Sequence, residues 1–338
     1  MTKRYTAFAA ALLLTFTMLF AGAFAEEAEA PQPRYRATAT CAITIRKEPS
    51  RDAEAVGYYT EGARVQIVSY EPGWLQVVKD GVTGWILRHT VADHAAIDED
   101  GMPFGVVPGE YAADVGSACV VRSEPKDGAD ALFLVSEGER LALIDIQDGW
   151  GKVIYWRQYG YVKLDEHISS IEPVLPVEDA QPGDILAAYC SFYSLSGNMV
   201  PSRIKNIAAG CGWISMTLQP GERFSFNEIA GPYGPAKGYE KAMSFFDGGA
   251  VPSYGGGTCQ ISSTLYNTLM PLQGRGIDIL YRRPHGPGGA SYLPHGADAA
   301  VGSDSLDFIF RNEFDFPVRI DARTHGNGVL YVALLRAE

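Results

Sequence analysis

Three residues of this 338-residue chain have the types and the order for nucleophilic chemistry: Cys259, then His285, then Asp298. A thiol attacks as its thiolate, needs a base nearby, and the base must be held in place by a third group. Cys259 follows Gly255-Gly256-Gly257-Thr258, and Ile261, Leu265 and Leu269 then recur at i, i+4, i+8 ahead of Pro271. The pattern predicts a helix with Thr258 as its N-cap and Cys259 in its first turn. There, free backbone N–H groups and the positive end of the helix dipole favour a thiolate. The glycines let the backbone turn sharply and let another group approach closely. The backbone N–H groups of Cys259 and Gln260, or the Gln260 side chain, are candidate oxyanion donors. Arg282 and Arg283 suit a carboxylate such as a peptide C-terminus, because a guanidinium grips one with two parallel hydrogen bonds.

Each of these residues has a structural alternative. Cys259 can be a small buried hydrophobe, His285 a hydrogen-bonded loop residue beside Pro284, and Asp298 a turn cap. Ser262, Ser263 and Thr264 read as helix surface and local caps rather than nucleophiles. A zinc site built from Cys259, His285, His295 and Asp298 lacks any close-spaced ligand pair, and the Gly255–Gly257 turn lacks the lysine of a phosphate loop. No cofactor or metal is expected. Cysteine, histidine, then a polar residue is also the chain order in papain-like cell-wall peptidases, a likeness of order and helix position alone.

The elements that must position these residues follow an export leader. Lys3 and Arg4 precede an apolar run from Ala7 to Phe20, and Ala23-Phe24-Ala25 is a small-x-small cleavage signature, so residues 1–25 read as a signal peptide. No cysteine follows closely enough for a lipid anchor, and no later run is long and apolar enough to span a membrane. The expected location is therefore secreted or cell-wall associated, with no integral membrane segment after cleavage. The net charge of −12, which becomes −14 once Lys3 and Arg4 leave, excludes a nucleic-acid or anionic-lipid binder of the usual basic kind. The five cysteines are an odd number for an oxidising compartment, and a Cys190–Cys211 disulfide is one option.

Beyond a short linker (26–35), the chain repeats itself. Arg46, Glu48-Pro49, Glu61-Gly62, Gly73-Trp74 and Gly84-Trp85-Ile86 match Arg122, Glu124-Pro125, Glu137-Gly138, Gly149-Trp150 and Gly160-Tyr161-Val162, every pair offset by 76 residues. Each copy alternates apolar and polar residues in short bursts broken by turn residues, which predicts a small β-barrel. Over residues 36–92 and 112–168 these landmarks resemble the bacterial SH3-like domain. The resemblance implies two modules that bind peptidoglycan or its peptides, with Trp85 and Tyr161 as candidate binding residues and Trp74 and Trp150 as core. An acidic linker (93–111) separates the copies, and a second linker (169–184) follows them.

Residues 185–338 differ in composition. Ile204, Ile207, Ala208, Cys211 and Ile214 form a helical stripe interrupted by Gly210 and Gly212, and Leu306–Asn312 and Phe316–Ala322 alternate as though in a hairpin. Arg203 with Asn206-Ile207-Ala208-Ala209, Pro220 to Asn227, Gly231-Pro232, the Gly255 to Asn267 block, Arg283-Pro284-His285, Ser291 to Pro294 and Gly296 to Ala299 resemble the VanW family. His295, where that family commonly has a second proline, and the glycine-rich 286–289 segment depart from it. Asn227 and Tyr292, from the matching blocks, join Arg282 and Arg283 as candidate binding residues. The expected fold is multidomain: two small all-β SH3-like barrels followed by an α+β VanW-type domain. Two functions fit. One is a thiol peptidase, amidase or acyl transferase on wall peptides. The other is a non-catalytic peptidoglycan-binding protein in which Cys259 and His285 are structural.

Overall fold

The computed structural model describes residues 32–338 apart from 34, 72–73, 97–106, 247–248, 286–289, 294–296 and 304. The leader, most of the acidic 93–111 segment, the 286–289 glycines and His295 lie outside the described residues.

Tyr35–Ala39, Ile43–Arg46, Ala55–Tyr59, Arg64–Glu71, Trp74–Lys79, Val82–Leu87 and Val91–Ala96 form one antiparallel sheet. The alternation is what builds its core: Val65, Ile67, Leu75, Val77 and Ile86 are buried together while Arg64 and Gln66 face water. The 76-residue offset recurs in the hydrogen bonds. Arg46 Nη1 donates to Ala53 O at 2.7 Å and Arg122 Nη1 to Ala129 O at 2.8 Å. Trp85 stands opposite Arg46, and Tyr161 opposite Arg122. The strands of this second stretch run from Tyr111 to Pro173 and divide into a five-stranded and a three-stranded sheet. Trp150 is buried, and Trp74 is half-buried.

The expected linker at 169–184 is instead part of the packed body. Ile168–Pro173 pairs with Tyr111–Val115, Val174 bridges to Ile185, and Ala180 is fully buried. The prolines suggested a spacer, but Leu175 and Val177 between them pack on the C-terminal core.

The C-terminal part is centred on a four-stranded sheet of Ile185–Phe192, Val329–Arg336, Val318–Arg323 and Thr217–Leu218. Along Val329–Arg336, Leu330, Val332 and Leu334 face the core beneath the helices, whereas Val329, Tyr331 and Ala333 face the second β module. A sheet covered on both sides explains why these strands read as continuous apolar runs. A second sheet joins Arg223–Ser225, Phe308–Asn312 and Ile277–Arg282. Helix α1 (Val200–Ile214), the short α2 (Phe226–Ala230) and α3 (Thr258–Leu269) pack beside them.

Two expectations are corrected here. Phe308–Asn312 and Val318–Arg323 do not form a hairpin, because they belong to different sheets. The fully buried Asn312 side chain donates to Leu218 O and Phe316 O and accepts from Phe314 N, which steers the chain across rather than back. Cys190 and Cys211 form no disulfide; both are free, and they occupy the cores on opposite faces of the central sheet.

Candidate functional site

Helix α3 is entered through its glycines. Gly255 and Gly257 adopt φ of +80° and +115°, and a Cβ on Gly256 would lie 2.7 Å from Ala242 O. Gly257 is the N-cap, so Thr258 is not, as the sequence had suggested; it is the first helical residue and is buried. The positive φ at this point is open to glycine and strained for threonine. Ile261, Leu265 and Leu269 enter the core as their spacing requires.

The polar residues between them are not surface. Ser262 donates to Ala299 O at 2.6 Å, Ser263 Oγ accepts from Ala299 N at 2.9 Å, and Asn267 Nδ2 donates to Ala297 O at 2.5 Å. All three are buried. Their hydroxyls and amide take up backbone groups on both sides of Asp298, which would otherwise be buried without partners. Periodicity alone assigns such residues to water, and only the bonded partner strand explains their burial.

Asp298 is 1% exposed and accepts two hydrogen bonds on Oδ2 from one residue: His285 N at 2.6 Å and His285 Nδ1 at 2.5 Å. Cys259 is the other group that acts on this imidazole, favouring its protonated form together with Asp298. With Nδ1 held by Asp298, Nε2 is the ring nitrogen left for a second partner. Burial opposes protonation of His285, but Asp298 and Cys259 together outweigh it and hold the imidazole up at about 10. Burial likewise opposes ionisation of Asp298, yet the bonds from His285 hold its carboxyl below the ordinary range. Cys259 is half-buried, and its Sγ also lies 3.4 Å from Val301 O. The structure therefore pairs His285 with Asp298 directly, with Cys259 near enough to favour the protonated imidazole.

The remaining candidates separate. Gln260 lies beside Cys259, but its side chain faces inward: Nε2 donates to Ser191 Oγ and Phe192 O, and Oε1 accepts from Arg203 at 2.6 Å. Its backbone N–H donates to Gly257 O at 3.0 Å. Neither Gln260 group is therefore free to serve as an oxyanion donor, whereas the Cys259 N–H is one of the amides a helix start leaves available. Arg282 donates to Asp298 O at 2.7 Å and stacks on Tyr266, so it braces the carboxylate segment. Arg283 is exposed and meets the Tyr281 hydroxyl at 3.0 Å.

Tyr292 is half-buried, and burial pushes its phenol up. Asn227 lies elsewhere. Its amide uses all of its capacity on Ser303 O, Leu306 O, Tyr233 Oη and Gly302 N. It lines an open depression of about 410 Å³ with Arg223, Glu228, Tyr281 and Asp307, which does not include the thiol. Trp85 and Tyr161 are half-buried on the two N-terminal modules.

Two residues at this site escape periodicity. Arg203 reaches Gln260, and the fully buried Asn206 ties α1 to Glu240 and to Gly256 O at 3.0 Å. Besides their place in the VanW-like block, a polar Asn next to the apolar stripe was a signal, since a buried amide needs partners.

Residues 202–335 match the family profile described as VanW like protein, and residues 42–92 match the bacterial SH3 domain. The uncharacterized protein YoaR of Bacillus subtilis (strain 168) is 33% identical over 146 residues. Those residues are 43% of this chain and 46% of YoaR, so the chain spans less than half the length of that relative. Among solved structures, NlpC1 from Trichomonas vaginalis aligns at 14% identity over 91% of this chain and 94% of that one, with a TM-score of 0.17. An NlpC/P60 family protein from Bacillus cereus ATCC 10987 aligns at 12% identity over 89% and 99%, with a TM-score of 0.18. Scores that low do not establish a shared fold.

Proposed function

We propose that this chain, with a VanW-like domain at residues 202–335 and a bacterial SH3 domain at 42–92, is an exported thiol hydrolase or acyl transferase acting on peptidoglycan peptides. The observation that carries the proposal is His285, hydrogen-bonded to Asp298 through Nδ1 and raised in basicity by Cys259 as well as by Asp298. In this scheme Cys259 is the nucleophile, His285 the general base and acid, and Asp298 the group that fixes the ring. The Cys259 thiolate adds to a peptide carbonyl carbon, and the Cys259 N–H faces the developing oxyanion. The C–N bond then breaks as His285 passes its proton to the departing amine. Water or a second amine attacks the thioester, the C–S bond breaks, and its proton returns to His285. No cofactor is called on.

The SH3 domain supports a wall-directed role, and the hydrogen bonds repeated at 76-residue offset support reading residues 112–168 as a second SH3-like module. Trp85 and Tyr161 then present aromatic faces to wall glycan or peptide. The apolar leader supports export. Among the described residues, no helix is long and apolar enough to cross a membrane.

The test is the pH dependence of Cys259 alkylation by iodoacetamide, mapped by peptide digest, in wild type and His285→Ala. Loss of rapid alkylation near neutral pH in the variant is the expected result. A Cys259 indifferent to His285 sinks the enzyme. One observation favours the non-catalytic alternative: the Sγ contact to Val301 O is what a structural thiol makes.

A further inference from the structure

We propose that Arg203 is the specificity-determining cation of the Cys259 site, selecting acyl substrates that carry a free carboxylate close to the reacting carbonyl. This rests on the thiol-enzyme reading above and goes further by naming the substrate class.

Arg203 stands in the first turn of α1 and lies against the first turn of α3. A Cβ on Gly257 would be 3.2 Å from Arg203 Cγ, and Arg203 Nη2 donates to Gln260 Oε1 at 2.6 Å. Gly257 and Gln260 bracket Cys259, so the guanidinium is held beside the turn that carries the thiol. Gln260 is itself fixed by Ser191 and by Phe192 O, which gives the arginine a rigid anchor through one of its five N–H groups.

The acids in the neighbourhood are already engaged. Glu240 takes Lys205 and Ser202, and Asp298 takes His285. Among the described residues no carboxylate forms an ion pair with Arg203, in contrast to Arg223, Arg311 and Arg323. A half-buried guanidinium held by a neutral amide keeps donors available for an incoming anion, and its planar fork suits a carboxylate. The arginines that the sequence put forward for this task are otherwise placed: Arg282 braces Asp298 O, and Arg283 lies on Tyr281.

The experiment uses two alkylating probes that differ in charge, anionic iodoacetate and neutral iodoacetamide, on the full chain at pH 7. Digest mapping separates Cys259 from the exposed Cys41. Arg203→Gln is expected to lower the iodoacetate-to-iodoacetamide rate ratio at Cys259 by about tenfold, the effect of losing one close charge partner. Arg203→Lys should retain most of that ratio. If Arg203→Gln slows both probes equally, Arg203 acts on the thiol rather than on an anion, and the proposal is overturned. An unchanged ratio overturns it as well. A wild-type Cys259 inert to both probes takes down the thiol-enzyme reading itself, which is a distinct result.

Discussion

Arg157 of the second β module binds the backbone of Leu293 in the C-terminal domain, its Nε donating to Leu293 O at 3.4 Å while Nη2 donates to Ala290 O at 3.2 Å. Leu293 is fully buried against Ile154 and Tyr189. The clasp spans Tyr292, in the segment that joins His285 to Asp298. The second module thus supports the loop that carries the candidate chemistry, besides covering Tyr331, Phe192 and Ala333 of the central sheet.

A fragment beginning at Ile185 should therefore fail to fold, whereas one beginning at Val107 should fold. Cutting away the second module exposes Phe192 and Tyr331, each worth about 1.5–3 kcal/mol of burial. That is a large share of the ~5–15 kcal/mol that stabilises an ordinary domain. Near-ultraviolet circular dichroism and urea melts of the two fragments decide the matter; a cooperative melt from the shorter one contradicts the shared core.

Removing the guanidinium alone is a milder change. Arg157→Ala loses two hydrogen bonds to backbone carbonyls and should cost about 1–3 kcal/mol by urea denaturation. It should also alter iodoacetamide reactivity at Cys259, because the Ala290–Leu293 segment between His285 and Asp298 is no longer held. Arg157→Lys, which can restore one bond, should recover part of both.

The His285–Asp298 pair predicts an alkaline loss of stability. His285 is held up at about 10, against an ordinary value of about 6.5 in the unfolded chain. A raised basic group stabilises the fold fully below the unfolded value and loses that contribution as pH climbs through the folded one. Melting temperatures of wild type should fall from about pH 6.5 to 10 more steeply than those of His285→Gln. Parallel curves would falsify the coupling. Asp298 has the opposite sign: its lowered carboxyl contributes above the ordinary carboxylate range and loses that contribution under acid.

The chain order of Cys259, His285 and Asp298 was legible because each residue belongs to a chemical type with a defined role, and α3 was legible because its apolar spacing survives in the core. Sequence could not show that Ser262, Ser263 and Asn267 are buried, since their partners are backbone groups 30 to 37 residues away. The hairpin misreading has the same origin: two alternating strands joined by a short turn usually pair, and the steering by Asn312 depends on Leu218, 94 residues upstream. The 76-residue repeat was visible as landmarks, but its packing against Val329–Ala333 was not, because a strand buried on both faces loses its alternation.

Two glycines in α1 that look alike in sequence should respond oppositely to alanine. A Cβ on Gly210 would lie 2.3 Å from Ile261 Cδ1, where α1 meets the helix that carries Cys259. Ile261 is fully buried and hemmed in by the core, so Gly210→Ala forces the helices apart and should cost about 1–3 kcal/mol. Gly212 has nothing within 4 Å of the same position and ordinary helical geometry. There, alanine gains helix propensity without a clash, and Gly212→Ala should stabilise by up to about 1 kcal/mol. Urea titration of both variants checks the pair. Because Ile261 shares the α3 core with Cys259, Gly210→Ala should also disturb thiol alkylation, while Gly212→Ala should leave it as in wild type.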